Sequence, residues 1–409
     1  MTSTTLGLSD TTRGAIGLDR AALGLLLGFV AALQVSIAVA QVLLTAALAC
    51  WVVMLARDRE RPEAPRFYVP LLAYAAMTLV ASVFSVDPVE SLIDSKQLVL
   101  FLIVPLVYQL ARGSRASTVV DVIVSVGAVS ATYGIFQYAV LHYDNLGQRP
   151  QGTLSHYMTY SGLLMLVISA AVARLIFGRQ GRTWPALVLP ALIVALSLTF
   201  TRSAWVGVCV AVGLLFLLKD FRLLAAIPVV VALLFAFAPD GVTNRMVSVF
   251  NLQDPTNRDR LAMVQAGEAI IADHPLIGVG PNMVQRVYPR YRVADAVNAT
   301  NPHLHNVPMH IAAERGVPAA AIWFWFLGAL VVGLARLLKT PHIRALASTG
   351  LAAVAGMLAA GFFEYNFGDS EFLMLFLVLV TLPFAAARAP GLADPMSEET
   401  MPGRTRSSV

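Results

Sequence analysis

Arginines, histidines and carboxylates placed at the ends of apolar runs carry the chemistry this chain offers. Arg202 lies in T-R-S-A-W at 201–205, between two hydrophobic segments. A guanidinium within a bilayer is costly, so such a residue snorkels, pairs, or serves a wet site. A tight hairpin with short polar neighbours favours anion binding here over a merely solvated arginine. Arg260, in R-D-R at 258–260, stands where a helix is expected to begin. A helix start already favours anions, and its free N–H groups together with a guanidinium suit a phosphate. A structural pair with Asp254 or Asp259 is the alternative, and Arg245 and Arg258 are further candidates for the same task.

The second group is N-P-H-L-H-N at 301–306, followed by His310. His303, His305 and His310 are spaced at two and five, with no H-E-x-x-H and no nearby cysteine, so a metal is not expected. His305 followed by Asn306 at a membrane boundary fits a single neutral imidazole oriented by a neighbour. Imidazoles titrate close to neutrality, which suits one to accept a proton. His303 remains an alternative for that role. His310 and Glu314, at i and i+4, can pair with each other. His274 reads as a helix-end residue, and His156 marks the start of a span. In F-E-Y-N-F-G-D-S-E at 363–371, Glu364 and Asp369 either contact sugar or acceptor, or neutralise Arg202 or Arg315.

The elements that must position these groups are membrane helices. The chain has 409 residues, 57% hydrophobic and 13% charged, with mean hydropathy +0.71. That excludes an ordinary soluble globule and a disordered chain. The apolar runs approach the ~20 residues a helix needs to cross a bilayer. We expect an all-α polytopic membrane protein with about twelve spans, at 21–38, 39–56, 67–84, 93–111, 119–140, 156–177, 184–200, 204–218, 221–238, 307–335, 345–363 and 371–387.

Most of the 29 Lys and Arg residues then fall on one side, which the positive-inside rule makes cytoplasmic. The expected organisation is a cytoplasmic segment at 1–20, spans one to nine over 21–238, and a large outer loop at 239–306. Spans ten to twelve follow over 307–388, with a cytoplasmic tail at 389–409. Within the loop, 258–273 reads as an amphipathic helix with Leu261, Val264, Ala269 and Ile270 on one side, ended by Pro275 and G-V-G at 278–280. That G-V-G follows a helix and no strand, so it does not suggest a dinucleotide. The arginines at 286, 290 and 292 with Tyr288 and Tyr291 form a short aromatic-basic patch, either solvated surface or a lipid-headgroup contact, or else a glycan contact. Net charge is +5 without a basic-aromatic groove, so nucleic acid is not an expected partner. Cys50 and Cys209 both sit in apolar runs and read as packing residues.

T-R-S-A-W at 201–205, R-L-A-M-V-Q-A-G-E-A-I-I-A-D-H-P-L-I-G-V-G-P-N at 260–282 and H-N-V-P-M-H-I-A-A-E-R-G-V-P at 305–318 together resemble the O-antigen ligase and polymerase superfamily of bacterial envelope enzymes. The resemblance is strongest over about 190–320. It implies a glycosyltransferase in the bacterial inner membrane, working at the periplasmic face, with an undecaprenyl-pyrophosphate-linked glycan as donor. It further implies an inverting reaction with no metal, cofactor or nucleotide sugar. By the same resemblance Arg202 and Arg260 clamp the pyrophosphate and His305 is the general base. A ligase transfers to a sugar of the lipid A core, which is the preferred reading. The rivals are an O-antigen or exopolysaccharide polymerase, which extends another lipid-linked glycan, and a lipid-linked-oligosaccharide transporter. A monomer is expected. Arg245, Arg258, His303, Asn306, Glu364 and Asp369 are the expected substrate contacts.

Overall fold

The computed structural model describes residues 10–248, 251, 253–294 and 296–388, and among them the chain is helical, without a strand. The expected tail at 389–409 and the first nine residues lie outside the described residues. Fourteen of the helices run as α1 (Asp10–Ala32), α2 (Ile37–Asp58), α3 (Tyr68–Val83), α4 (Pro88–Asp94), α5 (Ile103–Leu110), α6 (Arg115–Ala139), α7 (Tyr157–Phe177), α8 (Thr183–Leu198), α9 (Arg202–Lys219), α10 (Ala226–Phe237), α11 (Asp240–Val247), α12 (Pro255–Asp273), α13 (Val284–Tyr291) and α14 (Val307–Leu337). The chain then closes with α15 (Arg344–Gly361) and α16 (Ser370–Ala386).

Among the described residues, seven helices are long and apolar enough to cross a membrane: α2, Pro88–Leu110, α6, α7, α9, α14 and α15. Four shorter apolar helices, Tyr68–Val83, Thr183–Leu198, Phe221–Phe237 and Ser370–Ala386, lie among them. One sequence expectation needs correction: the first helix begins at Asp10, well before the expected boundary at 21. The run expected as a span at 93–111 is long and apolar enough to cross, over Pro88–Leu110, and is built of two short α-helices joined by a 3-10 stretch, Ser95–Leu102. Pro105, near the start of α5, lacks an N–H and its ring opposes the carbonyl four residues back, which disfavours a continuous α-helix there.

Lipid tails are as apolar as leucine, so close packing rather than water exclusion holds such a bundle together. Helices apolar all round belong in its centre. α7 and α16 occupy that place, with most of their side chains buried. α9 packs along α15, and α7 packs on both. A Cβ at Gly207 would stand 2.2 Å from the Met165 sulfur and 2.9 Å from the Gly356 carbonyl, so only glycine permits this approach.

The segment 239–306 has a small core of its own, built from Met263, Ala266, Ile270, Met283, Val287, Tyr288 and Leu304. The expected loop helix is present, but its buried face is 259, 262, 263, 266, 267 and 270. Of the four residues expected to pack, only Ile270 is buried, while Leu261 and Ala269 are exposed. The G-V-G turn is a brace: Val279 and Gly280 donate backbone hydrogen bonds to the Ala313 and Glu314 carbonyls at 3.0 and 2.8 Å. They meet α14 where Gly316 takes φ +83°, a left-handed conformation that breaks the helical path. The aromatic-basic patch is tied to protein, since Arg286 pairs with Asp87 at 2.7 Å and Tyr291 donates to Asp273 at 3.0 Å.

Candidate functional site

Arg202 is the first residue of α9, at its membrane-apolar N-terminal end. It is buried, at 6% exposure, and does not snorkel. Its guanidinium donates to Ser248 Oγ at 3.1 Å and to Asn257 Oδ1 at 2.9 Å, and lies 3.6 Å from Asp254. Five N–H donors in a fixed fork leave further capacity after those contacts. Arg202 thus fastens α9 to the loop that joins α11 and α12. Arg245 pairs with the other Asp254 oxygen at 3.4 Å.

Arg260 differs. α12 begins at Pro255, capped by the Asp254 side chain on the Thr256 N–H, so Arg260 lies in the second turn and not at the free N–H groups. The Asp-Pro pair that sets this start is visible in the sequence, and it overrides the expectation for R-D-R. Neither expected partner takes Arg260. Asp254 holds Arg202 and Arg245, and Asp259 accepts from the Asn298 backbone N–H and side-chain amide at 3.1 and 2.6 Å. Arg260 makes no ion pair among the described residues, and its guanidinium stands 6.0 Å from the centre of the Phe363 ring. Burial pushes this guanidinium below its ordinary value, with Glu364 opposing and Arg245 reinforcing the push.

His305 adopts φ +47°, a left-handed conformation uncommon for a residue with a side chain. Contacts on both sides hold it there. The Leu304 N–H donates to His310 Nδ1 at 3.3 Å, and His310 Nε2 faces Glu314 at 3.3 Å. Asn306 caps α14 by accepting from the Met309 N–H at 3.0 Å. Glu364, fifty-nine positions on, stands 3.1 Å from His305 Nδ1 and 4.0 Å from His303 Nε2. The neighbour that orients His305 is therefore Glu364, and the Asn306 amide is engaged in capping. Burial would raise the Glu364 carboxyl, but His305 and then His303 outweigh it and hold it at about 2. Burial, aided by His305, pushes His303 down to about 4 against the pull of Glu364.

The remaining carboxylates do not neutralise the expected arginines. Arg315 bonds to Glu314 at 2.9 Å, and both are buried within α14. Such charges persist in a bundle interior only when paired. Asp369 caps α16 through the Phe372 N–H and takes the Thr159 hydroxyl. Burial raises its carboxyl. His156 caps α7 and His274 ends α12, both as structural residues.

One cavity of about 440 Å³ is lined by Arg202, Arg258, Arg260, His305 and Asn306, with Leu261, Val264, Phe362 and Phe363 supplying apolar wall. Arg245, His303, Glu364 and Asp369 are outside its lining. Arg149, which stacks on Tyr157 at 4.2 Å, stands in the electrostatic neighbourhood of Arg202 with Arg245 and Arg260. Nothing in its sequence setting, a Gly-Gln-Arg-Pro loop far from 202, marked it. A cluster of guanidinium groups facing few carboxylates, beside apolar wall, can hold a polyanion carried on a lipid.

His303, His305 and Glu364 place one ligand atom each within 4.8 Å of one another, a set compatible with a metal ion. The spacing argument from the histidines alone missed it, because the third donor comes from a distant segment. Against a cation, Glu364 is already engaged by His305 and faces Arg260.

Residues 186–324 match the family model described as O-Antigen ligase. That stretch starts in α8 and runs through Arg202, Arg260, His303 and His305 into α14, leaving Glu364 and Asp369 beyond it. No curated protein matches the chain. The match covers about a third of the chain and agrees with the resemblance to the O-antigen ligase and polymerase superfamily carried by its motifs, in a protein whose long apolar helices are those of a multi-pass membrane protein.

Proposed function

We propose that this protein is an O-antigen ligase, moving a glycan from undecaprenyl pyrophosphate to a sugar hydroxyl of the lipid A core at the periplasmic face of the inner membrane. The observation that supports this most is the shared cavity of Arg202, Arg260 and His305, with apolar wall beside it. The pyrophosphate lies against the two guanidinium groups and the first prenyl units against Leu261, Val264, Phe362 and Phe363. His305 Nδ1 donates to Glu364, which leaves Nε2 as the acceptor of the incoming hydroxyl proton. The acceptor oxygen bonds to the anomeric carbon as that carbon's bond to the pyrophosphate oxygen breaks, with inversion. The electron pair leaves on undecaprenyl pyrophosphate, and the arginines stabilise its charge. Holding both substrates supplies much of the rate by proximity. No metal or nucleotide sugar takes part in this scheme. The chain works as a monomer with twelve crossings, both ends cytoplasmic and 239–306 in the periplasm.

The test is purified protein in detergent with undecaprenyl-pyrophosphate glycan, lipid A core and EDTA. One large transfer onto the core is expected. A ladder of repeat units on the carrier would assign a polymerase instead. No transfer of any glycan would favour a transporter, and activity lost to EDTA and restored by zinc would make His303, His305 and Glu364 a metal site.

A further inference from the structure

Behind the lipid-side cavity lie two smaller ones, the first adjoining it and the second adjoining the first, and their linings differ from it in kind. A cavity of about 260 Å³ shares Arg260 and His305 with it and adds Thr256, Asp259, Asn298 and Asn301. A third, of about 190 Å³, is lined by His156, Thr159, His303, Glu364 and Asp369. Met158 lines both, so the two lie in series behind His305.

We propose that these two cavities form the acceptor subsite and take a neutral, hydroxyl-rich sugar ring. The inference rests on the transfer reading above and goes beyond it in assigning each substrate a side of His305. The charge pattern carries it. Among the described residues the lipid-side cavity is lined by arginines, of which Arg260 makes no ion pair, whereas Asp259, Glu364 and Asp369 line the other two. Carboxylates accept hydrogen bonds from sugar hydroxyls and repel phosphate. Carboxylates have about four acceptor sites, and among the described residues Asp259 holds Asn298, and Asp369 holds Thr159 and the Phe372 N–H. A sugar seated there presents a hydroxyl to His305 from the side opposite the donor. Its proton passes to the imidazole, its oxygen takes the anomeric carbon, and the pyrophosphate departs toward the arginines. Attack and departure on opposite faces require this division of the site.

The test uses the full chain in nanodiscs and saturation-transfer NMR with methyl α-glucoside, its 6-phosphate serving as anionic control. The wild type is expected to show the neutral glycoside and to show the phosphate several-fold more weakly. Met158→Trp, which fills both polar cavities, should reduce the glycoside signal at least fivefold. In transfer assays it should raise the acceptor KM at least tenfold and leave the donor KM within twofold. Val297→Trp, at an exposed position lining the 260 Å³ cavity, repeats the test without disturbing α7. Val264→Trp, on the lipid side, should raise the donor KM and leave the glycoside signal intact. The subsite is overturned if the wild type binds no glycoside, if the phosphate binds better, or if Val264→Trp rather than the other two removes the signal. Glycoside binding lost in Met158→Trp, in a protein that transfers nothing, would overturn the ligase reading and leave the subsite standing.

Discussion

The molecule has two cavities of nearly equal size, wired in opposite ways. One, about 450 Å³, is lined by Asp19, Asp58 and Glu60 against Arg57, Arg112 and Arg115. Its charges are equal in number and largely spent on each other: Arg115 pairs with Asp19 at 2.6 Å and Arg57 with Asp58 at 2.7 Å. Gln109 links Glu60 to the Trp51 indole. The other, about 440 Å³, is lined by Arg202, which reaches Asp254, by Arg260, which makes no ion pair among the described residues, and by an imidazole held in a left-handed turn. Volume does not separate a binding site from a gap between helices. A guanidinium such as that of Arg260 beside apolar wall does, because a charge in a poorly hydrated space calls for a counter-charge from outside.

Four outcomes would sharpen or break that contrast. The largest effect is expected from His305→Ala, which should lower glycan transfer about a thousandfold, the range for loss of a general base. Full activity in the purified variant would remove its role. Arg260→Ala should cost about a hundredfold in transfer with little change in folding, because this guanidinium has no internal ion pair to lose. Arg202→Ala should match that loss and also lower the unfolding temperature, since Ser248, Asn257 and Asp254 lose their partner. Equal thermal behaviour of the two variants would contradict this division of labour.

The third outcome concerns pH. Unfolded histidine titrates near 6.5 and folded His303 at about 4, so between these values only the unfolded chain takes up this proton. Acidification from pH 6.5 to 4 therefore favours unfolding, and His303→Asn should flatten the fall in unfolding temperature over that window. An unchanged slope would mean that His303 is not held neutral by burial. The smallest effect is expected at the 450 Å³ cavity, where Arg57→Ala should alter transfer by less than about twofold, as exposed ion pairs contribute little. A large loss there would make that cavity functional and end the contrast.

The helical stretches were legible because bilayer thickness imposes long apolar runs, and helices occupy the greater part of all twelve stretches read as spans. His310 and Glu314 were legible as a pair because helical spacing puts i and i+4 together. His305 with Glu364 was not, since no local rule links residues so far apart. The face of α12 was misread because a single apolar stripe was assumed. This helix buries one side in the loop core and turns Leu261 and Val264 to the cavity, so its apolar residues point in two directions. Arg149 escaped because a loop arginine carries no periodicity to betray its neighbours.

The close approach at Gly207 sets the distance between the two halves of the candidate site. α9 begins with Arg202, and α15 leads into the turn that bears Glu364. The spacing between Arg202 and Glu364 is therefore tied to a contact that touches neither. A bulkier residue at 207 would act as a shim, mistuning the chemistry from a point facing only other helices.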